Sequence, residues 1–485
     1  MLTGKMAEAA AAQHQLLLAC TGLLLLLLIS SSSVATARSI IKTLPGFPGE
    51  LPFYLETGYV GVGENESVQL FYYFVKSQRT PVLDPLVLWL TGGPGCSTLS
   101  AFFYESGPVS FNFTYNGGLP TLELNEYTWT ETLNIIYLDA PVGTGFSYST
   151  TQEGYIMDDY KSAAQTYEFL KKWLIQHPEF LKNNLYVGGD SYSGIPVPMI
   201  VQDLYYDSER GGSPRLNLNL QGYVLGNPVT DAYIDKNSRV PFAHRLTLIS
   251  DRLYESAKAN CHGDYVNANT SSEQCESDVQ EIEELLRDIN IQQILDPDCT
   301  FSSPKPNEEK SNLQRSLAEN PDDFLSQLGE ETLYYCHEYR YTLSEIWANN
   351  RDVREALHVR EGTKGHWKRC NISGLAYTED VTSSVAYHRN LSKTGLRALI
   401  YSGDHDMSVP HIGTQQWINS LNMTVADTWR AWYTEGQIAG YTKRYTNDDF
   451  ALTYATVKGA GHVAPEYKPQ QCYAMLKRWF AYYQL

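Results

Sequence analysis

Short apolar runs alternate along this chain with polar stretches that carry helical spacing. SVQLFYYFV (Ser67 to Val75) is dense in aromatic and β-branched side chains. PLVLWL (Pro85 to Leu90) is continuously apolar until it meets Thr91-Gly92-Gly93-Pro94-Gly95. Both predict strands that end at turns. Asn134 to Leu138, Asn184 to Val187, Tyr223 to Leu225, Ala398 to Tyr401 and Leu452 to Val457 read the same way. Between them, Ala163, Tyr167, Leu170 and Leu174 recur at intervals of three and four within Tyr160 to Ile175, and Pro178 follows, which predicts an amphipathic helix. Strands alternating with helices predict an α/β fold with a mostly parallel central sheet covered on both faces.

The stretch from about 230 to 341 breaks this rhythm. It holds four cysteines, the acidic helical pattern SDVQEIEELLRDI and a polar run from Ser302 to Ser311. These features predict a helical and loop insertion on the rim of the sheet, with 302–311 a protease-accessible loop. No internal repeat and no linker between autonomous units is visible, so residues 38–485 read as one domain.

The N-terminus places that domain in a compartment. Leu16 to Ile29 is a leucine-dominated run of 14 residues, preceded by Lys5 and followed by Ser30 to Ser33 and Ala35-Thr36-Ala37. A spanning helix needs about 20 apolar residues, so 1–37 reads as a secretory leader cleaved near Ala37 rather than an anchor. Sequons at Asn65, Asn112, Asn269, Asn371, Asn390 and Asn422 agree with a glycosylated protein that is extracellular or vacuolar. With Cys20 in the leader, Cys96, Cys261, Cys275, Cys299, Cys336, Cys370 and Cys472 are left. That odd number allows up to three disulfides and one free thiol. No C-x-x-C or H-E-x-x-H occurs, so neither a metal nor another cofactor is expected.

The composition is 43% hydrophobic, enough for a large core, and 37 basic against 55 acidic side chains give a formal charge of -18. Such a charge repels nucleic acid and anionic lipid alike, leaving small molecules or neutral polymers as ligands.

Candidate chemistry lies where the predicted strands end. The strand NLYV runs into Gly188-Gly189-Asp190-Ser191-Tyr192-Ser193-Gly194, as a nucleophile elbow does, with Ser191 as the nucleophile. Gly189 supplies the small residue before it. The glycine usual two positions later is replaced by Ser193, with Gly194 one place further on. A serine hydroxyl needs a histidine base, itself held by a carboxylate. The strand RALIY ends in Ser402-Gly403-Asp404-His405-Asp406, and ALTYATVK ends in Gly459-Ala460-Gly461-His462. The order serine, aspartate, histidine is that of α/β-hydrolases. His405 and His411 lie too close to Asp406 in sequence to swing over Ser191, which makes His462 the base. Asp406, three residues past Gly403, reads as its partner, and Asp404 as a turn residue. The Tyr192 amide and the Gly92-Gly93 turn could supply donors to an oxyanion.

WLTGGPGCS, YESGP, DAPVGTGFSYS, GDSYSG, SGDHD and GAGHVAPEYKP, in this order over nearly the whole mature chain, resemble the serine carboxypeptidase-like family. The resemblance implies an α/β-hydrolase fold, the Ser191, Asp406 and His462 triad, oxyanion amides at Gly93 and Tyr192, and disulfides joining Cys96 to Cys336 and Cys261 to Cys275.

Two positions depart from the peptidase pattern. Where W-x-N-G-G and G-E-S-Y-A-G place an asparagine and a glutamate on a peptide's terminal carboxylate, this chain has Thr91 and Asp190. Glu105 matches the second glutamate of that carboxyl pair. Threonine here and GDSYSG are similar to the plant branch that takes acyl groups from 1-O-β-glucose esters. The resemblance thus implies an acyltransferase with an acyl glucose donor, a hydroxyl acceptor, and Thr91, Glu105 and Asp190 around the substrate. A serine carboxypeptidase and a catalytically silent companion protein are the alternatives.

Overall fold

A computed structural model describes residues 38–210, 217–268, 272–298 and 337–485. The chain divides into Met1–Arg38 and Ser39–Leu485. The leader, Asn269 and the 302–311 loop lie outside the described residues.

The second unit is built on a twelve-stranded sheet. Its strands are β1 (Arg38–Ile41), β2 (Leu55–Val62), β3 (Val68–Val75), β4 (Leu86–Leu90), β5 (Asn134–Leu138), β6 (Tyr148–Ser149), β7 (Leu185–Asp190), β8 (Leu220–Gly226), β9 (Arg397–Gly403), β10 (Thr424–Thr434), β11 (Gln437–Asn447) and β12 (Phe450–Val457). They lie in the order β1-β2-β3-β5-β4-β7-β8-β9-β12-β11-β10, and β6 pairs with β3. From β5 through β12 the neighbours are parallel, and antiparallel strands flank them on either side. This is the α/β-hydrolase fold.

The continuous apolar runs follow from burial on both faces. Successive side chains of a strand point to opposite sides. Val87 and Trp89 accordingly join one core with Tyr137, Tyr186 and Tyr401, while Leu86, Leu88 and Leu90 join the other with Leu138, Val187 and Ile400. Helix α1 (Asp159–Gln176) covers the second face with Ala163, Phe169, Leu170, Trp173 and Leu174. Asp158 caps it by accepting from the Lys161 N–H. Helix α2 (Pro196–Arg210) follows the elbow.

Between β8 and β9 come the short helices Ala232–Asn237 and Arg239–Arg245, then α3 (Asp251–Cys261) and α4 (Glu273–Leu286). Val240, Phe242, Leu253 and Ile282 gather with Met407 into a separate small core. Cys261 and Cys275 tie α3 to α4 as the resemblance implied. The other disulfide differs from that expectation, because Cys96 bonds Cys370 and not Cys336. Cys96 and Cys370 face each other in an antiparallel bridge, held by Ser97 N–H to Arg369 O at 2.7 Å and Asn371 N–H to Gly95 O at 2.9 Å. Cys336 lies outside the described residues, and Cys472 is a buried thiol. Among the described residues no helix is long and apolar enough to cross a membrane.

Candidate active site

Strands β7, β9 and β12 run parallel, so their C-terminal ends share one edge of the sheet, and each delivers one predicted side chain there. Ser191 leaves β7 with φ +55°, a left-handed backbone that an L-residue adopts only when its surroundings hold it there. The local sequence permits that turn. A Cβ on Gly189 would stand 2.6 Å from Ser193 Cβ, and one on Gly194 would stand 2.2 Å from Val229 O. The absence of a side chain at Gly189 leaves room for Ser193, and Gly194 takes the close approach to Val229.

His462 Nε2 lies 2.7 Å from Ser191 Oγ, and its Nδ1 lies 2.7 Å from Asp406 Oδ2. Asp406 is fully buried and His462 nearly so. Asp404 instead accepts from Gly459 N–H at 2.6 Å and lies against His405 Nδ1 at 2.7 Å, the turn role read from its spacing. Burial opposes charge on His462, but the Asp406 carboxylate, through its charge and its hydrogen bond, raises the imidazole above its ordinary 6.5.

The Gly92-Gly93 turn presses on the elbow. A Cβ on Gly92 would come within 2.6 Å of Ser191 Cβ and 2.7 Å of Tyr192 N. Gly92 and the Tyr192 amide therefore lie beside the serine. Asp139 braces the segment beyond, accepting from Ser97 Oγ at 2.7 Å and Thr98 N–H at 2.9 Å.

A cleft of about 310 Å³ opens over Ser191 and His462, with Thr91, Glu105 and Asp190 in its wall. Several of its residues escaped the sequence reading, Glu466, Tyr341 and Arg369 among them. Glu466, on the helix Ala464–Tyr467, accepts from Tyr341 Oη at 2.8 Å, and the Arg369 guanidinium stacks 3.7 Å above the Tyr341 ring. Glu466 had a signal, four residues past His462 in GHVAPEYKP; Tyr341 and Arg369 had none.

Burial dominates the electrostatics of these acids. It pushes Asp190 up to about 6 against the pull of His462. Glu105 is raised well above the usual carboxylate range by burial and by the charges of Asp190 and Glu466. Burial raises Glu466 as well, against His337 and the Tyr341 hydroxyl. Thr91 Oγ1, Glu105 Oε2, Asp190 Oδ1 and Glu466 Oε1 are buried without a hydrogen-bond partner among the described residues.

A serine at a strained strand end, with an imidazole and a buried carboxylate in line, sits at the strand ends of an α/β-hydrolase scaffold. The sequence places that scaffold more narrowly. Residues 45–482 match the model of the serine carboxypeptidase family, and this chain belongs to that family. Serine carboxypeptidase-like 13 of Arabidopsis thaliana is 47% identical over 448 residues, 92% of this chain and 95% of that protein. Serine carboxypeptidase-like 1 of the same plant is 49% identical over 442 residues, 91% of this chain and 92% of its own length. The fold also matches KEX1(delta)p, a prohormone-processing carboxypeptidase from Saccharomyces cerevisiae, with a TM-score of 0.68 at 20% identity, covering 90% of this chain and 93% of that one.

Proposed function

We propose that this protein is an acyltransferase that moves an acyl group from a 1-O-β-acyl glucose to an acceptor hydroxyl. One observation carries the reading: the four unpartnered oxygens of Thr91, Glu105, Asp190 and Glu466 in the cleft wall. Buried oxygens without partners are costly, and each is suited to accept an O–H. A glucose ring brings several hydroxyls on one rigid frame.

In this scheme His462 Nε2 takes the Ser191 Oγ proton as Oγ attacks the acyl carbonyl carbon. The amides of Gly93 and Tyr192 hold the resulting oxyanion. Collapse breaks the bond between the carbonyl carbon and glucose O1, and His462 returns its proton to the departing sugar. The acceptor hydroxyl then gives its proton to His462 as it attacks the acyl-enzyme carbonyl; collapse breaks the bond to Ser191 Oγ, and His462 returns the proton to Oγ. Asp406 keeps the imidazole oriented and steadies its charge. Water competes with the acceptor, and hydrolysis accompanies transfer to the extent that water enters.

A serine carboxypeptidase is the second reading, favoured by the raised Glu105 and Asp190, which could donate to a peptide carboxylate while protonated. A secretory, glycosylated protein accords with two disulfides and with exposed Asn65, Asn390 and Asn422. The test offers purified protein acyl glucoses with assorted alcohols and, in parallel, a blocked dipeptide, each against Ser191→Ala. Ester formation that vanishes in the variant supports the transferase; released amino acid alone supports the peptidase. Ligand binding with no turnover leaves a silent companion protein.

A further inference from the structure

The small residues of an elbow stand two places from its serine; the residue directly after Ser191 is a tyrosine, and nothing in the acyl-transfer scheme uses its ring. The ring points away from the cleft. Tyr192 Oη donates to Asp159 Oδ1 at 2.8 Å, and Tyr192 is 9% exposed. Asp159 opens α1, is wholly buried, and takes two further donors, Tyr377 Oη on Oδ1 at 2.8 Å and Val381 N–H on Oδ2 at 2.9 Å. The Asp159 N–H in turn donates to Asp380 Oδ1 at 3.1 Å. Tyr377 reaches this point because Ala376–Thr378 pairs in parallel with Ile156–Asp158.

The carboxylate is thus fixed by α1 and by the 376–381 segment, and it grips the elbow through one phenol. Ser191 sits in a left-handed conformation immediately before that phenol's residue, and the Tyr192 amide borders the Gly92 turn. A strained turn keeps its geometry only where neighbours over-determine it.

We propose that Asp159 is a positioning residue that, through the Tyr192 hydroxyl, sets the Tyr192 amide and Ser191 Oγ for the acyl-transfer step. It rests on the reading of Ser191 as nucleophile. The reacting atoms never touch Asp159; its effect is on where the amide stands when negative charge develops on the substrate.

The experiment follows hydrolysis of p-nitrophenyl acetate, a general acyl donor that does not presuppose glucose or peptide, in wild type, Ser191→Ala, Asp159→Asn, Tyr192→Phe and Tyr377→Phe, with a thermal melt of each. Loss of an oxyanion donor costs about 100- to 1000-fold in kcat, so displacing one should cost on the order of tenfold. Tyr192→Phe keeps the amide and should lower kcat by that amount, with KM changed by less than about twofold, as befits loss of an interaction made in the transition state. Asp159→Asn should match it, and the double variant should be no slower than the slower single one. Tyr377→Phe removes a hydroxyl from the same carboxylate and should lower the melting temperature as much, with kcat held within about twofold of wild type. Full kcat in Tyr192→Phe, or equal loss in Tyr377→Phe, overturns the assignment. If Asp159→Asn fails to fold, the two tyrosine variants still decide. Wild type no faster than Ser191→Ala would remove the nucleophile, and this inference with it.

Discussion

Asn227 Nδ2 lies 2.7 Å from Asp406 Oδ2, the same oxygen that His462 Nδ1 approaches at 2.7 Å. Asn227 follows β8 directly, and its Oδ1 accepts from Ala464 N–H at 3.2 Å, so one amide bridges the acid and the loop that carries the imidazole. Asn227→Ala leaves that oxygen one donor short and frees the loop. Stability should fall by about 1–3 kcal/mol, the cost of breaking a buried hydrogen bond to a charged group. The rate should drop by roughly tenfold, because misplacement of the base spoils the attack geometry. Denaturant melts and steady-state kinetics on one preparation check both.

The pH profile follows from His462. A base must be neutral to accept the serine proton, so the rate falls on the acid side as the imidazole protonates. Its pKa is raised above 6.5, mainly by Asp406 against burial, so the acid limb of kcat/KM should lie above 6.5. Asp406→Asn removes that charge and leaves burial in control. The limb should then move to lower pH while kcat falls by roughly four orders of magnitude, as in known triads.

Asp190 sets function against stability. Its pKa is about 6 in the folded protein and 3.8 ordinarily, because burial disfavours the charged form. A carboxyl with a raised folded pKa supports folding fully below the unfolded value and loses that support as pH climbs through the folded one. Asp190→Asn should therefore be more stable than wild type at neutral pH, by roughly 2–3 kcal/mol, with the gain shrinking toward pH 4. It should also turn over the natural substrate poorly. Melts at pH 4, 5.5 and 7 test the sign.

Mass spectrometry of a non-reduced digest should find the Cys96 peptide joined to the Cys370 peptide and Cys472 as a free thiol. The Cys96–Cys370 bond closes a separation of 274 residues. Cys370→Ser should cost about 5–6 kcal/mol on the chain-entropy model. It should also depress activity, because Cys96 borders Gly93 and Cys370 follows Arg369 in the cleft wall.

Much of this was legible in the residues. The central strands are short apolar runs because both their faces are buried, and every one of them was readable. So were the three polar strand ends, since turns that carry serine, aspartate and histidine break an apolar pattern visibly. Strand β2 and the hairpin of β10 and β11 were not read. Glycines at 58 and 61 interrupt β2, and β10 is largely exposed at the sheet edge, so neither shows a continuous apolar run. Asn227, Tyr341 and Arg369 were illegible for another reason. Each acts through a contact made across the fold, and no local spacing records which distant side chain it will meet. The disulfide partner of Cys96 failed in the same way, because an antiparallel bridge between two loops leaves no mark on either.

A hydrogen atom is all that position 92 can carry toward the serine. Anyone wishing to redirect this protein to a different substrate must therefore leave that wall alone and work at positions 91 and 190, which line the same cleft. Thr91 and Asp190 reach that cleft from the ends of two different strands, so substrate range can be altered there without touching the backbone that holds the serine.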